Sequence, residues 1–134
     1  MIPKIIHFVY GLEEGFGGKE FGFAHWAAIR SALKNNPDYK VIYWYKHLPN
    51  NYYFDDVASL LELRQINPPN EIFGNKLLHV AHKADIVRLN ALLENGGIYL
   101  DIDTITTKSF DDLLDNQCVM GYESVNGIKH GICN

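Results

Sequence analysis

Asp101 and Asp103 stand one residue apart at the end of the run Asn95-Gly96-Gly97-Ile98-Tyr99-Leu100-Asp101-Ile102-Asp103-Thr104. Residues 98–102 have the apolar, β-branched character of a short buried strand, along which side chains alternate between faces. On that reading both carboxylates project to one side while Ile102 faces away. Two carboxylates about 5 Å apart repel by roughly 3 kcal/mol at an effective dielectric near 20. A divalent cation that favours oxygen ligands, Mn²⁺ or Mg²⁺, removes that penalty. The chemistry offered by this decapeptide is a metal held at a strand end.

A second charged pair lies just upstream. Apolar periodicity predicts a helix over residues 75–95, closed by Gly96-Gly97. At about 100° per residue, Lys76, His79, Lys83, Asn90 and Glu94 gather on one face, opposite Leu78, Ala81, Leu89 and Leu92. Asp85 and Arg88 fall within the apolar face, three residues apart and able to pair. Desolvating such charges costs several kcal/mol, so they form either a structural ion pair or the wall of a pocket for a polar ligand. Because the helix feeds directly into the aspartate strand, the pocket reading gains weight.

The elements that must position these residues alternate in type. A β-branched and aromatic strand is expected over 5–10, then a loop over 11–22 containing five glycines. Helical spacing runs from Phe23 to Asn35 and stops before Pro37, a second strand covers 40–45, and a short helix is expected over 55–63. Beyond the aspartates, a helical stretch over 111–114 and a strand over 118–122 complete the pattern. Such alternation implies an α/β domain with a mainly parallel sheet, whose ligands bind beyond the carboxyl ends of the strands.

Composition narrows the function classes. A chain of 134 residues supports one domain, and 47% hydrophobic with 13% aromatic content excludes disorder. Net charge is −4 and the basic residues are scattered, which argues against a nucleic-acid partner. No apolar run approaches the ~20 residues of a transmembrane segment, and the start has no secretory signal pattern. Cys118 and Cys133 are expected as free thiols in a reducing compartment. The expected location is cytoplasmic, including the periphery of a membrane. His79-x-x-His82 is the sole histidine pair with ligand-like spacing and reads more simply as a solvated helix face.

Taken together, Ala84-Asp85-Ile86-Val87-Arg88, seven intervening residues, and Gly96-Gly97-Ile98-Tyr99-Leu100-Asp101-Ile102-Asp103 closely resemble the signature of sugar transferases with a DXD motif. The nearest group is glycosyltransferase family 32 and its relatives, among them capsular polysaccharide synthesis enzymes and glucosylating bacterial toxins. The opening Ile2-Pro3-Lys4-Ile5-Ile6-His7-Phe8-Val9-Tyr10-Gly11 is similar to that family's first strand, with Tyr10 where Trp is usual, and Asn36-Pro37-Asp38-Tyr39 also matches.

The resemblance implies a GT-A (Rossmann-like) fold, with residues 1–134 forming a single donor-binding portion that relatives extend at the C-terminus. It implies a metal-dependent transferase that moves a sugar from a UDP- or GDP-sugar to a saccharide, lipid or protein acceptor, with retention of configuration. By the same resemblance, Asp101 and Asp103 hold Mn²⁺ or Mg²⁺ on the donor diphosphate. Asp85 and Arg88 bind the sugar and phosphate side of the donor, and Tyr10 stacks on the nucleobase with Val9 beside it. Two alternatives stand beside this reading. One is a nucleotide-sugar-binding remnant without acceptor chemistry. The other is a haloacid-dehalogenase-type phosphohydrolase with Asp101 as nucleophile. The late position of the motif, and Ile105 where Thr is expected, disfavour the latter.

Overall fold

The computed structural model describes residues 1–133, leaving out the side chains of Glu123, His130, Ile132 and Cys133. In chain order the elements are β1 (Ile5–Val9), α1 (Phe23–Asn35), β2 (Lys40–Tyr45), α2 (Tyr52–Ala58), β3 (Glu62–Gln65), β4 (Glu71–Ile72), β5 (Asn75–Lys76), α3 (Val80–Asn95), β6 (Ile98–Tyr99), β7 (Gly121–Val125) and β8 (Ile128–Cys133). Short 3-10 turns cover Glu14–Gly18 and Asp111–Leu113.

Strands β3, β2, β1 and β6 form one sheet in that spatial order, and every pairing in it is parallel. The chain winds outward from β1 to β3 and then returns to the other side of β1 for β6. Strand order therefore reverses between β1 and β6, the position where an open α/β sheet leaves a crevice for ligands.

Alternation along the strands sorts the core into two layers. Ile6, Phe8, Val41 and Tyr43 pack against α1 and α2, around Ala28, Ile29, Ala32, Phe54 and Val57. Val9, Ile42 and Trp44 face the opposite way, onto Val87 and Ala91 of α3. The class is the one expected, α/β with a parallel sheet flanked by helices.

Several boundaries depart from the expected ones. The short helix starts earlier, at Tyr52, because the side chain of Asn51 caps Phe54 N–H. It ends at Ala58, and Glu62 and Leu63, expected as its last residues, instead open strand β3. The long helix begins only at Val80; the preceding residues form the hairpin β4–β5 around Phe73-Gly74, both at positive φ. Its buried face is also not the expected one. Val87 and Ala91 are buried, while Leu78 and Leu89 of the expected face are 89% and 60% exposed and Leu92 is half-buried. Small residues let α3 lie close on the sheet, so packing overrode the apparent leucine stripe. The last expected strand starts at Gly121, three residues late, and pairs antiparallel with β8. Cys118 is a free, exposed thiol, and the side chain of Cys133 lies outside the described ones. Among the described residues no helix is long and apolar enough to cross a membrane.

Candidate active site

Everything that surrounds Asp101 is set by how β6 leaves α3. Gly96 ends the helix at φ 65°, and Gly97 follows at φ 93°. A Cβ on Gly97 would lie 2.5 Å from the carbonyl oxygen of Ile5, so a side chain there would push β6 off β1. His7 locks this junction from within the sheet. Its ring is fully buried, Nδ1 accepts the indole N–H of Trp44 at 3.1 Å, and Nε2 therefore carries the proton it donates to Gly96 O at 2.9 Å. Burial holds the imidazole below its ordinary pKa, which keeps it neutral in this role.

β6 pairs only through Ile98 and Tyr99. Asp101 and Asp103 thus do not sit on a strand, as the alternation argument required. They lie in a turn in which Thr104 donates from both its N–H and its hydroxyl to Asp101 O, at 3.2 and 2.7 Å. The twofold alternation survives only as far as Tyr99 and Asp101: the Tyr99 hydroxyl donates to Asp101 Oδ1 at 2.7 Å. The Asp101 residue is half-buried and Asp103 is exposed. Asp103 lies near enough to His25 to favour its charged form, although burial dominates and lowers the pKa of that ring.

Arg88 completes the corner. Its guanidinium pairs with Asp85 one helical turn away, and Nη1 stands 3.9 Å from Asp101 Oδ1, beyond hydrogen-bond range. The group lies over the Tyr99 ring, 4.6 Å from its centroid, a cation–π arrangement. Its side chain is 13% exposed, against 37% for Asp85. Among the described residues, neither Nε nor Nη1, both buried, has an acceptor. Two unsatisfied donors on a buried cation are expensive, and they point to an anionic or polyhydroxyl ligand that supplies oxygens.

The segment after the aspartates is tied to the far end of α1. Ser31 Oγ accepts from Thr106 N–H at 3.0 Å, Asn35 Nδ2 donates to Thr106 O at 2.9 Å, and the buried Asn36 accepts from Phe110 N–H at 3.0 Å. The turn carrying Asp101 and Asp103 is therefore held from both sides.

Val9 and Tyr10 lie apart from this corner, at the carboxyl end of β1. They line a cavity of about 380 Å³ with Phe16, Val80, Ala81 and Ala84. Ala84 precedes Asp85, so the cavity abuts the charged corner along α3. The structure brings Asp85, Arg88 and Asp101 together, places Asp103 beside them on the turn, and sets Val9 and Tyr10 one cavity away.

Sequence reasoning missed Tyr99, His7 and Trp44. Tyr99 was accessible, since it lies two residues before Asp101 and strand periodicity puts the two on one face. His7 and Trp44 carry no such signal, because only the pairing of β1 with β2 makes them partners.

Residues 23–120 match the family described as "Glycosyltransferase sugar-binding region containing DXD motif". The chain belongs to this glycosyltransferase family. A glucan organizing enzyme of Cryptococcus neoformans is 39% identical to the whole chain, which spans 39% of that relative. An inositol phosphoceramide mannosyltransferase of Schizosaccharomyces pombe is 28% identical over 98% of the chain and 32% of its own length. A mannosyl phosphorylinositol ceramide synthase of Saccharomyces cerevisiae is 26% identical over 98% of the chain and 30% of its own length. The chain therefore spans well under half the length of these relatives. Among solved structures, the PaToxG glycosyltransferase superposes with a TM-score of 0.57 at 21% identity, over 82% of this chain and 45% of that one. That likeness supports the fold. Family membership decides between the transferase reading and the phosphohydrolase alternative in favour of the former.

The donor set can be tested against the divalent metal that a DXD family implies. Among the described residues no three His, Cys, Asp or Glu side chains gather into a metal site. Two hard carboxylates, one of them exposed, fit a cation shared with a diphosphate instead, since Mg²⁺ and Mn²⁺ are commonly bound by one or two carboxylates plus substrate phosphates. The residues fit a metal that arrives with a ligand.

Proposed function

We propose that this chain forms the donor site of a glycosyltransferase that uses a nucleoside-diphosphate sugar, UDP- or GDP-linked. The observation that carries the proposal is Arg88: a buried guanidinium with two donors unpartnered among the described residues, braced by Asp85 and Tyr99 next to Asp101.

In the transfer, an acceptor hydroxyl oxygen bonds to the anomeric carbon, the bond from that carbon to the diphosphate oxygen breaks, and the hydroxyl proton is lost. Negative charge grows on the departing diphosphate. A guanidinium whose fork is already fixed offers two N–H donors to that charge without reorganising. Asp85 holds the fork and has room to accept from a sugar hydroxyl, being 37% exposed. Asp101, its position fixed by the Tyr99 hydroxyl, and the exposed Asp103 would hold Mn²⁺ or Mg²⁺, which supplies Lewis-acid stabilisation of the leaving group. Tyr10 and Val9, which line the cavity, would receive the nucleobase. Retention of configuration follows from the family resemblance and is read from the anomeric signal of the product. The names of the yeast relatives favour mannose and an inositol phosphoceramide-like acceptor within the wider class of saccharide, lipid and protein acceptors.

The test is donor hydrolysis or transfer measured for wild type and Arg88→Lys. The lysine keeps the charge and loses the planar fork, so turnover should fall at least about tenfold, the worth of one strong hydrogen bond or more. Equal turnover in the two proteins would remove Arg88 from the site.

A further inference from the structure

We infer that Phe16 is the second wall of the nucleobase site, so that the base is clamped between Tyr10 and Phe16. The inference rests on the donor-site reading above and adds a residue from outside the motif.

Phe16 belongs to the loop that leaves β1, and its backbone is in the left-handed region at φ 55°. A side-chain-bearing residue adopts that conformation at a cost, and only when its surroundings hold it there. Its neighbours Gly15 and Gly17 take φ of 64° and 60°, so three consecutive residues turn the same way and present the ring inward. A Cβ at Gly15 would meet nothing within 4 Å; glycine is needed there for its backbone angle and not for space.

The ring does not disappear into the core. Phe16 is only partly buried, and it lies on Tyr10 with centroids 5.9 Å apart and planes inclined by 18°. A near-parallel stack is one of the favoured aromatic arrangements and is the one a flat base can enter, because both walls already face each other. Edge-on packing, as between Tyr10 and Phe21 at 65°, offers no such slot. Both rings line the same cavity of about 380 Å³ as Val9, beside the N-terminal turn of α3.

The loop is anchored at both ends, and at the first of them Leu12 is buried in the core. Gly11 O accepts from Lys46 N–H and His47 N–H at 3.2 and 2.8 Å. At the other end the Tyr10 hydroxyl donates to Lys19 O, and Phe21 is buried with its carbonyl held by Asn51 Nδ2 at 2.8 Å. Between these anchors the segment is held by two of its own turn bonds, Phe16 N–H to Glu13 O and Lys19 N–H to Phe16 O. Phe16 can thus lift from Tyr10 and close again on a base without disturbing the sheet. The exchange replaces one ring–ring contact with two ring–base contacts, and stacking of this kind tolerates any base.

Titration of UDP, GDP and inorganic pyrophosphate in the presence of Mn²⁺ tests the clamp on wild type, Phe16→Ala and Phe16→Tyr. Phe16→Ala should weaken, at least fivefold, whichever of the two nucleotides wild type binds, by loss of one stacking wall. It should leave pyrophosphate, which has no base, unchanged, and Phe16→Tyr should bind like wild type. Unchanged or tighter nucleotide binding by Phe16→Ala would make Phe16 an occupant of the Tyr10 platform and overturn the clamp while leaving the donor site standing. Equal weakening of pyrophosphate would likewise overturn it, as a purely structural effect. Absence of nucleotide binding in every variant, wild type included, would overturn the donor-site reading itself.

Discussion

At the scale of single residues, Arg88 and Tyr43 both carry buried polar atoms with no hydrogen-bond partner among the described residues, and these mean different things. The Arg88 donors belong to a cation braced by Asp85 and Tyr99 beside Asp101, where an oxygen-rich ligand would supply the acceptors. The Tyr43 hydroxyl is unpartnered too, yet it sits in a fully buried ring among Phe21, Phe54 and Tyr45, with its ionisation suppressed by burial. An unpaired hydroxyl in such a place only costs free energy. Tyr43→Phe should therefore leave the protein as stable as wild type or up to about 1 kcal/mol more so, read from thermal melts, with donor binding unchanged. A loss of more than about 1 kcal/mol would show that the hydroxyl has a partner, such as a buried water, that matters to the fold.

Among elements, the decisive junction is between the end of α3 and β6. Gly97 must lie against Ile5, and His7 must be neutral to accept from Trp44 and donate to Gly96 O. The sign of the pH effect follows from burial. The folded ring has a pKa below its ordinary value, so the unfolded chain takes up a proton first as pH falls. Stability is complete above about pH 6.5 and falls below it, by up to about 1.4 kcal/mol per pH unit until the buried ring itself titrates. His25, lowered by burial as well, adds in the same direction. Chemical denaturation between pH 7.5 and 5.5 checks this: wild type should lose stability over that interval, and His7→Gln should lose distinctly less of it. A flat wild-type profile would deny the neutral His7 link.

The same junction shows what could be read from the residues alone. The alternation of β1, α1, β2, α2, α3 and β6, the bounds of α1 and β2, and the ion pair of Asp85 with Arg88 follow from local periodicity and spacing. The face of α3 did not follow, because the sheet selected Val87 and Ala91, whose small volumes permit close approach, and left Leu89 of the expected face exposed. Nor did β3, which depends on pairing with β2; the β7–β8 hairpin, by contrast, is local and closes at Asn126-Gly127, both at positive φ, a turn signal present in the sequence. The turn at Asp101 was hidden for a similar reason: an apolar run looks like strand until pairing to β1 stops at Tyr99.

For the molecule as a whole, the parallel sheet brings three separate stretches of sequence to one side. β1 delivers Val9 and Tyr10, α3 delivers Asp85 and Arg88, and the turn after β6 delivers Asp101 and Asp103. The family match begins at residue 23, yet the glucan organizing enzyme aligns with the full chain, so β1 and its loop belong to the shared unit. The central claim is that these pieces form one metal-assisted site for a nucleoside diphosphate. Calorimetric titration of UDP and GDP, with and without Mn²⁺, into wild type and Asp103→Asn tests it most directly. Asp103 is exposed, so its amide should leave the melting temperature unchanged. The account predicts that wild type binds at least one of the two nucleotides in a Mn²⁺-dependent manner, and that Asp103→Asn loses the Mn²⁺ dependence while remaining folded. Equal Mn²⁺-dependent affinity in both proteins, or no binding by a folded wild type, would contradict it.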